Sequence, residues 1–248
     1  MARGLAISLL IAALCAAGAS AAKPRPPKLD DWCLTKAERR AAVSLRASDG
    51  ARVLGVVLGG ARARRGVVIA HENGGGLCNW APYGRRLSRD GFRVLLLDLR
   101  GFASSPKPRR NVYRFDLDIA AGTRELRRRG VQRVALVGGS MGATGVLVAA
   151  SRITPTVDAV IAASGPTFFR GLDAEPAVAS TRVPTLFVAA SDDSGFADAA
   201  RTLHAHSAAP GKRLEIVPGA DHGYQLVTGT ANEPNRRLFG SFLSANLG

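Results

Sequence analysis

Acidic side chains are scarce in this 248-residue sequence. Nineteen Asp and Glu stand against 34 Lys and Arg, a formal charge of +15. Lysine is scarce too: 29 of the 34 bases are arginine. Such an imbalance first suggests an anionic partner, whether nucleic acid, an acidic membrane surface or an acidic polymer. The pattern argues against a dedicated nucleic-acid site. The bases fall in short separate groups: Arg39-Arg40, Arg62 to Arg65, Arg85-Arg86, Arg109-Arg110, Arg127 to Arg129 and Arg236-Arg237. No basic segment is interleaved with aromatics, as a single-strand binder requires. The arginines therefore read as a solvated surface, with nonspecific association to an anionic envelope as the remaining partner role. Long uncharged runs are few: Gly4 to Ala22 near the N-terminus, and Val134 to Ser151, which four glycines interrupt, too little for a polytopic membrane protein. What is plentiful is apolar residue, 46% of the chain. That excludes a mostly disordered chain, which could not offset its backbone entropy. No internal repeat and no second domain boundary is visible, so one large α/β domain is expected.

The N-terminal uncharged run reads as an export signal. Arg3 supplies a short positive start, Leu5 to Gly18 an apolar segment, and Ala19-Ser20-Ala21 the small-x-small pattern of a cleavage site. Cleavage is expected after Ala21 or Ala22, with an uncleaved anchor as the alternative. Residues 1–22 are thus a signal, 23–41 a basic Pro-rich linker and N-terminal segment, and 42–248 the domain. The chain has three cysteines. Loss of the signal removes Cys15 and leaves Cys33 and Cys78. In an oxidising compartment such a pair can close a disulfide, the alternative being two buried thiols. No His or Cys lies at ligand spacing from either, so no metal site is expected.

Ala42 to Ala47 and Arg52 to Leu58 flank Asp49-Gly50, the pattern of a β-hairpin. Six short apolar runs follow: Gly66 to Ala70, Val94 to Leu97, Val134 to Val137, Val160 to Ala163, Leu186 to Ala190 and Leu214 to Val217. Unbroken runs of this kind mark strands buried on both faces. Between them, Trp80–Asp90, Phe115–Arg129, Met141–Arg152, Phe196–Ser207 and Pro234–Asn246 read as helices. A hairpin followed by strand–helix alternation predicts a mostly parallel, doubly wound sheet of about eight strands.

One motif carries chemistry. Gly138-Gly139-Ser140-Met141-Gly142 matches G-x-S-x-G, after an expected strand and before an expected helix. The chain must turn sharply there, and Gly138 and Gly142 remove side chains that would collide in the turn. Ser140 then stands at the carboxyl end of the sheet beside a helix N-terminus, which favours an oxyanion. Serine needs a base, and the base needs an orienting acid. His222 follows the last strand in a loop between glycines. His204 and His206 lie two apart on a helix and face outward, and His71 ends a strand as a structural residue. The acid is expected in Ser191-Asp192-Asp193-Ser194, with Asp193 favoured over Asp192. The order Ser, Asp, His is that of the α/β-hydrolases.

From about Leu45 onward the sequence resembles an α/β-hydrolase, close to the dienelactone-hydrolase-like, small serine-hydrolase branch. The resemblance rests on His71-Glu72-Asn73-Gly74-Gly75-Gly76, Asp98-Leu99-Arg100-Gly101, the Ser140 turn, Asp193 and His222-Gly223. It implies an oxyanion hole made of the Met141 N–H and an N–H of the 71–73 turn, with Asn73 the choice. Each such donor is typically worth ~2.7–4 kcal/mol. It implies a structural role for Asp98 to Gly101. The sequence departs from the family in having Glu72 where glycine is usual, although the dienelactone-hydrolase branch also carries Glu there. It departs again at Phe102-Ala103-Ser104, which lacks the second glycine of the turn.

The implied activity is acyl transfer by a serine esterase on a small ester, thioester or amide, without metal or organic cofactor. Ser164 to Pro184, where relatives often carry a lid, is expected to be a short loop or one helical turn. Trp80, Tyr83, Phe168, Phe169, Phe196 and Tyr224 are candidates for pocket walls or for plain packing. The competing readings are a non-catalytic protein of the same fold and a basic polyanion-binding protein.

Overall fold

The computed structural model describes residues 1, 27–29, 32–108, 112–229 and 232–248. The expected signal, Cys15 and residues 23–26 of the expected linker lie outside the described residues. The elements in chain order are α1 (Lys36–Arg39), β1 (Ala42–Arg46), β2 (Arg52–Leu58), β3 (Arg65–Ala70), α2 (Leu77–Arg89), β4 (Arg93–Asp98), α3 (Phe115–Arg128), β5 (Arg133–Gly139) and α4 (Met141–Ala150). They continue with β6 (Ala159–Ala163), β7 (Phe168–Phe169), β8 (Leu172–Asp173), α5 (Ala174–Ser180), β9 (Thr185–Ala190), α6 (Phe196–His206), β10 (Arg213–Val217), α7 (Gln225–Thr228) and α8 (Glu233–Leu247).

One eight-stranded sheet runs β1-β2-β4-β3-β5-β6-β9-β10. The β1–β2 hairpin is antiparallel, and β2 joins β4 antiparallel. All the other pairs are parallel. The apolar runs of β3 to β6 and β9 fill both faces of the sheet, and two hydrophobic clusters result. On one face Val68, Leu95, Leu136 and Val160 pack under α3, α4, α5 and α6. On the other Ile69, Leu96, Val137 and Ile161 pack under α2, α7 and α8. Every residue of α4 is buried, which accounts for its small, uniformly apolar sequence.

Helix α2 starts three residues before the expected Trp80. The cause is distant: the Asp98 carboxylate accepts the Leu77 N–H at 2.8 Å, capping a helix whose Gly76 has no side chain to do so. The interval from Ser164 to Pro184 is also more ordered than expected. It holds the β7–β8 hairpin and the seven-residue α5. Pro176 does not break α5, because it lies in the first turn, where its missing N–H has no partner to lose. The Asp173 side chain accepts the Glu175 N–H and caps that turn.

Cys33 and Cys78 form a disulfide with Cα atoms 5.6 Å apart. It fastens the N-terminal segment to α2. The Glu38 carboxylate receives the Arg85 guanidinium in two hydrogen bonds of 2.7 and 2.8 Å, and Arg85 also donates to the Cys33 carbonyl. Arg85 holds the Glu38 carboxyl down at about 2. Among the described residues no helix is long and apolar enough to cross a membrane.

Candidate active site

Strand β5 ends at Gly139, and Ser140 turns the chain into α4 at φ 49°, ψ −116°. A non-glycine residue in that region is strained by about 1–3 kcal/mol and needs its surroundings to hold it. They do so on both sides. The Ser140 N–H donates to the Ala163 carbonyl at 2.8 Å, and its carbonyl accepts from the Ala143 and Thr144 N–H groups. The glycines are required as expected. A side chain on Gly138 would overlap the Gly142 carbonyl, and one on Gly142 would overlap the Ala70 carbonyl.

His222 and Asp193 meet. The His222 Nδ1 lies 2.9 and 3.0 Å from the two Asp193 carboxylate oxygens. Nδ1 therefore carries the proton, and Nε2 is left free to accept one. Asp193 is 8% exposed. Asp192 is exposed, and its carboxylate accepts the Ser191 hydroxyl instead. The Phe196 ring packs against the imidazole at a tilt of 60°, with centroids 4.4 Å apart.

Two residues that sequence reasoning gave no such role hold the His222 loop. Ser164, at φ 51° after β6, accepts the Gly223 N–H on its hydroxyl at 3.1 Å. Glu72 accepts the Tyr224 N–H at 2.8 Å and the Trp80 indole N–H at 3.0 Å, both on Oε1. The Glu72 carboxyl is buried between the two halves of the site. A side chain on Gly139 or on Gly223 would overlap it. These glycines adjoin Ser140 and His222, so both residues converge on one buried carboxyl. Its Oε2 has no partner among the described residues. Burial pushes the Glu72 carboxyl above its ordinary range, against the pull of the N–H groups and of His222. Among the described residues the Ser140 hydroxyl makes no hydrogen bond to His222. Such contacts often tighten only with substrate bound.

His71 and His206 are placed as expected, whereas His204, expected at the surface, is half-buried edge-on to Phe187 because helix α6 lies on β9. His71 is fully buried. Its Nδ1 donates to the Glu72 carbonyl at 2.7 Å and its Nε2 accepts the Leu99 N–H at 3.0 Å. Burial lowers its pKa to about 4, so the ring is neutral and fixes the turn that leads to Asn73. His206 is exposed and pairs with Glu175. Asn73 is exposed, Met141 is buried, and no turn or loop hydrogen bond uses either N–H. Asp98 receives the Leu77 and Ser104 N–H groups, a structural use. Trp80 and Tyr83 are core residues, with exposures of 0% and 2%, and do not line an open pocket. Phe169 packs on Phe115, and Phe168 is exposed.

Residues 67–180 match the family model described as alpha/beta hydrolase fold. That match spans β3 through α5 and includes the Ser140 turn. The chain has the α/β-hydrolase fold. Solved structures agree. An esterase from Pyrococcus furiosus superposes with a TM-score of 0.69 at 17% identity, covering 84% of this chain and 91% of that one. An esterase from Rhodococcus gives 0.70 at 16% identity, covering 84% and 100%. A dienelactone hydrolase from Anabaena variabilis gives 0.66 at 23% identity, covering 84% and 97%. No curated protein matches the sequence. Among the described residues of this α/β-hydrolase-fold protein, no group of three or more His, Cys, Asp and Glu is placed to hold a metal ion.

Proposed function

We propose that this protein is an exported serine hydrolase that cleaves a small carboxylic ester through Ser140, His222 and Asp193. The observation that carries the reading is the Asp193–His222 pair, whose Nδ1 contact leaves Nε2 as the base, beside a serine held in a strained turn. The esterases of the same fold support the ester as substrate class. In the mechanism His222 Nε2 takes the Ser140 proton as the hydroxyl oxygen attacks the ester carbonyl. The Met141 N–H, at the start of α4, and the Asn73 N–H receive the oxyanion. The imidazolium, stabilised by Asp193, then gives its proton to the departing alcohol. Water, deprotonated by His222, releases the acid and restores Ser140.

Export is supported by the N-terminal pattern up to Ala21 or Ala22 and fits the Cys33–Cys78 disulfide. N-terminal sequencing of protein recovered from outside the cytoplasm is expected to begin at Ala22 or Lys23. The catalytic reading is tested with short-chain p-nitrophenyl esters and a fluorophosphonate probe on the parent and on Ser140→Ala. The parent turns over and labels, and the variant does neither. Labelling that persists in the variant refutes Ser140. Neither turnover nor labelling in a folded parent refutes the hydrolase.

A further inference from the structure

A cavity near the carboxyl end of the sheet lies away from Ser140. It has a volume of about 460 Å³ and lies where the β1–β2 hairpin meets the loop after β4. Its walls include Arg46, Arg52, Arg100 and Lys107, with Asp49 the acid among them. The sheet order puts β4, which carries this loop, two strands from β5 and its Ser140. Two inter-strand spacings are about 10 Å, so the cavity is beside the candidate active site and separate from it.

The charges of the cavity are unbalanced in a definite way. Arg100 is 1% exposed and fully committed. Its guanidinium grips both Asp49 oxygens, at 2.5 and 3.2 Å, and Asp118 behind it, at 2.7 and 2.8 Å. Arg100 in turn holds the Asp49 carboxyl below its ordinary range. Arg100 and Asp118 of this triad are buried, and the grip on Asp49 consumes the one carboxylate that lines the cavity among the described residues. The remaining three cations are exposed. Arg46 donates to the Gly50 carbonyl at 3.2 Å, which fixes its guanidinium across the hairpin. The Arg52 and Lys107 side chains make no hydrogen bond or ion pair among the described residues. With the triad at −1 and three cations around it, the described residues give the site a net charge of about +2. Side chains of like charge are held around a concavity of the size that takes a small ligand, ~300–1,000 Å³.

We infer that this cavity binds the phosphate group of a small organic phosphate, with Arg52 and Lys107 as its principal contacts and Arg46 as the third cation. A phosphate dianion matches the excess charge. An arginine fork with a lysine point charge suits its oxygens. The volume leaves room for the organic part. The inference does not depend on the hydrolase reading, since it concerns binding and not turnover.

The test uses the full mature chain with glycerol 3-phosphate as the probe at fixed ionic strength. Inorganic phosphate, acetate and vesicles containing an anionic phospholipid are compared with it. Calorimetry and thermal shift are expected to show saturable binding of both phosphates. Arg52→Gln/Lys107→Gln is expected to weaken that binding at least tenfold. Neither side chain bonds to the rest of the fold among the described residues, so this variant keeps the parent's Tm without ligand. Arg62→Gln/Arg89→Gln removes the same charge from the opposite end of the sheet and is expected to change affinity less than twofold. Equal losses in the two double variants would mean diffuse charge and overturn the site. So would the absence of saturable binding, acetate binding as tightly as phosphate, or binding to vesicles with none to the soluble phosphates.

Discussion

Glu72 offers the sharpest test of how the candidate site is held together. Its Oε1 accepts two hydrogen bonds, from Trp80 on α2 and from the Tyr224 backbone beside His222. Replacing Glu72 with alanine strands both donors in a site that is nearly closed to water. A buried donor left without a partner costs about 1–3 kcal/mol, so Glu72→Ala is expected to lose about 2–6 kcal/mol. That is a large share of the roughly 5–15 kcal/mol that holds a typical domain folded. Glu72→Gln keeps the accepting oxygen and the shape, and is expected to differ from the parent by less than about 1 kcal/mol near pH 5.

The two proteins should then diverge with pH. Burial raises the Glu72 carboxyl in the folded chain above its value of 4.5 in the unfolded chain. The folded chain thus holds the extra proton. Its contribution is complete below pH 4.5 and is lost as the pH rises through the folded value. Each unit of separation is worth about 1.4 kcal/mol. Glutamine does not titrate, so Glu72→Gln gains on the parent as the pH rises from 5 to 8. Urea unfolding at pH 5, 6.5 and 8 measures all three proteins. Glu72→Ala within about 0.5 kcal/mol of the parent would refute the argument. A Gln variant as unstable as the Ala variant would also refute it.

Other outcomes follow from the same structure. Neutral His71, held at about 4 against 6.5 unfolded, contributes stability that is complete above pH 6.5 and is lost as the pH falls toward 4. The loss is roughly 3 kcal/mol, and urea midpoints between pH 7 and 4 should fall less steeply in His71→Gln. Cys33→Ser/Cys78→Ser opens a link between residues 45 apart in sequence. In the chain-entropy model this costs up to about 4 kcal/mol, and dithiothreitol should reproduce the lowered unfolding midpoint in the parent. Ala103 stands at φ 43°, in the left-handed region that favours glycine. Ala103→Gly is expected to raise stability by about 1 kcal/mol in thermal unfolding. Asp193→Asn frees His222 to adopt the wrong tautomer and is expected to lower kcat on p-nitrophenyl esters by ~10³–10⁴. Asp192→Asn should leave it near the parent value.

Some of this was determined locally and could be read from the sequence. Buried parallel strands must be apolar on both faces, so the runs from Gly66 to Val217 marked themselves. The Asp49-Gly50 hairpin did so by its turn chemistry, and the serine turn by Gly138, whose side chain would collide with backbone only four residues on. Cys33 and Cys78 were legible because two thiols remained to be paired. Other features depend on groups far apart in the chain. Helix α2 begins at Leu77 because Asp98, 21 residues later, supplies its cap. Asp193 and Asp192 are chemically identical neighbours, and only the direction of the loop after β9 turns one toward His222 and the other to water. Glu72 resembled a mere replacement of a loop glycine. Its role exists only because folding brings Gly139 and Gly223 against it, and with them the two residues they flank. The +15 charge was plain in composition. Which cations stay unpaired beside a cavity was decided by Asp49 and Asp118 meeting Arg100. Contacts of that kind have no periodicity and no spacing, so only the packed chain can specify them.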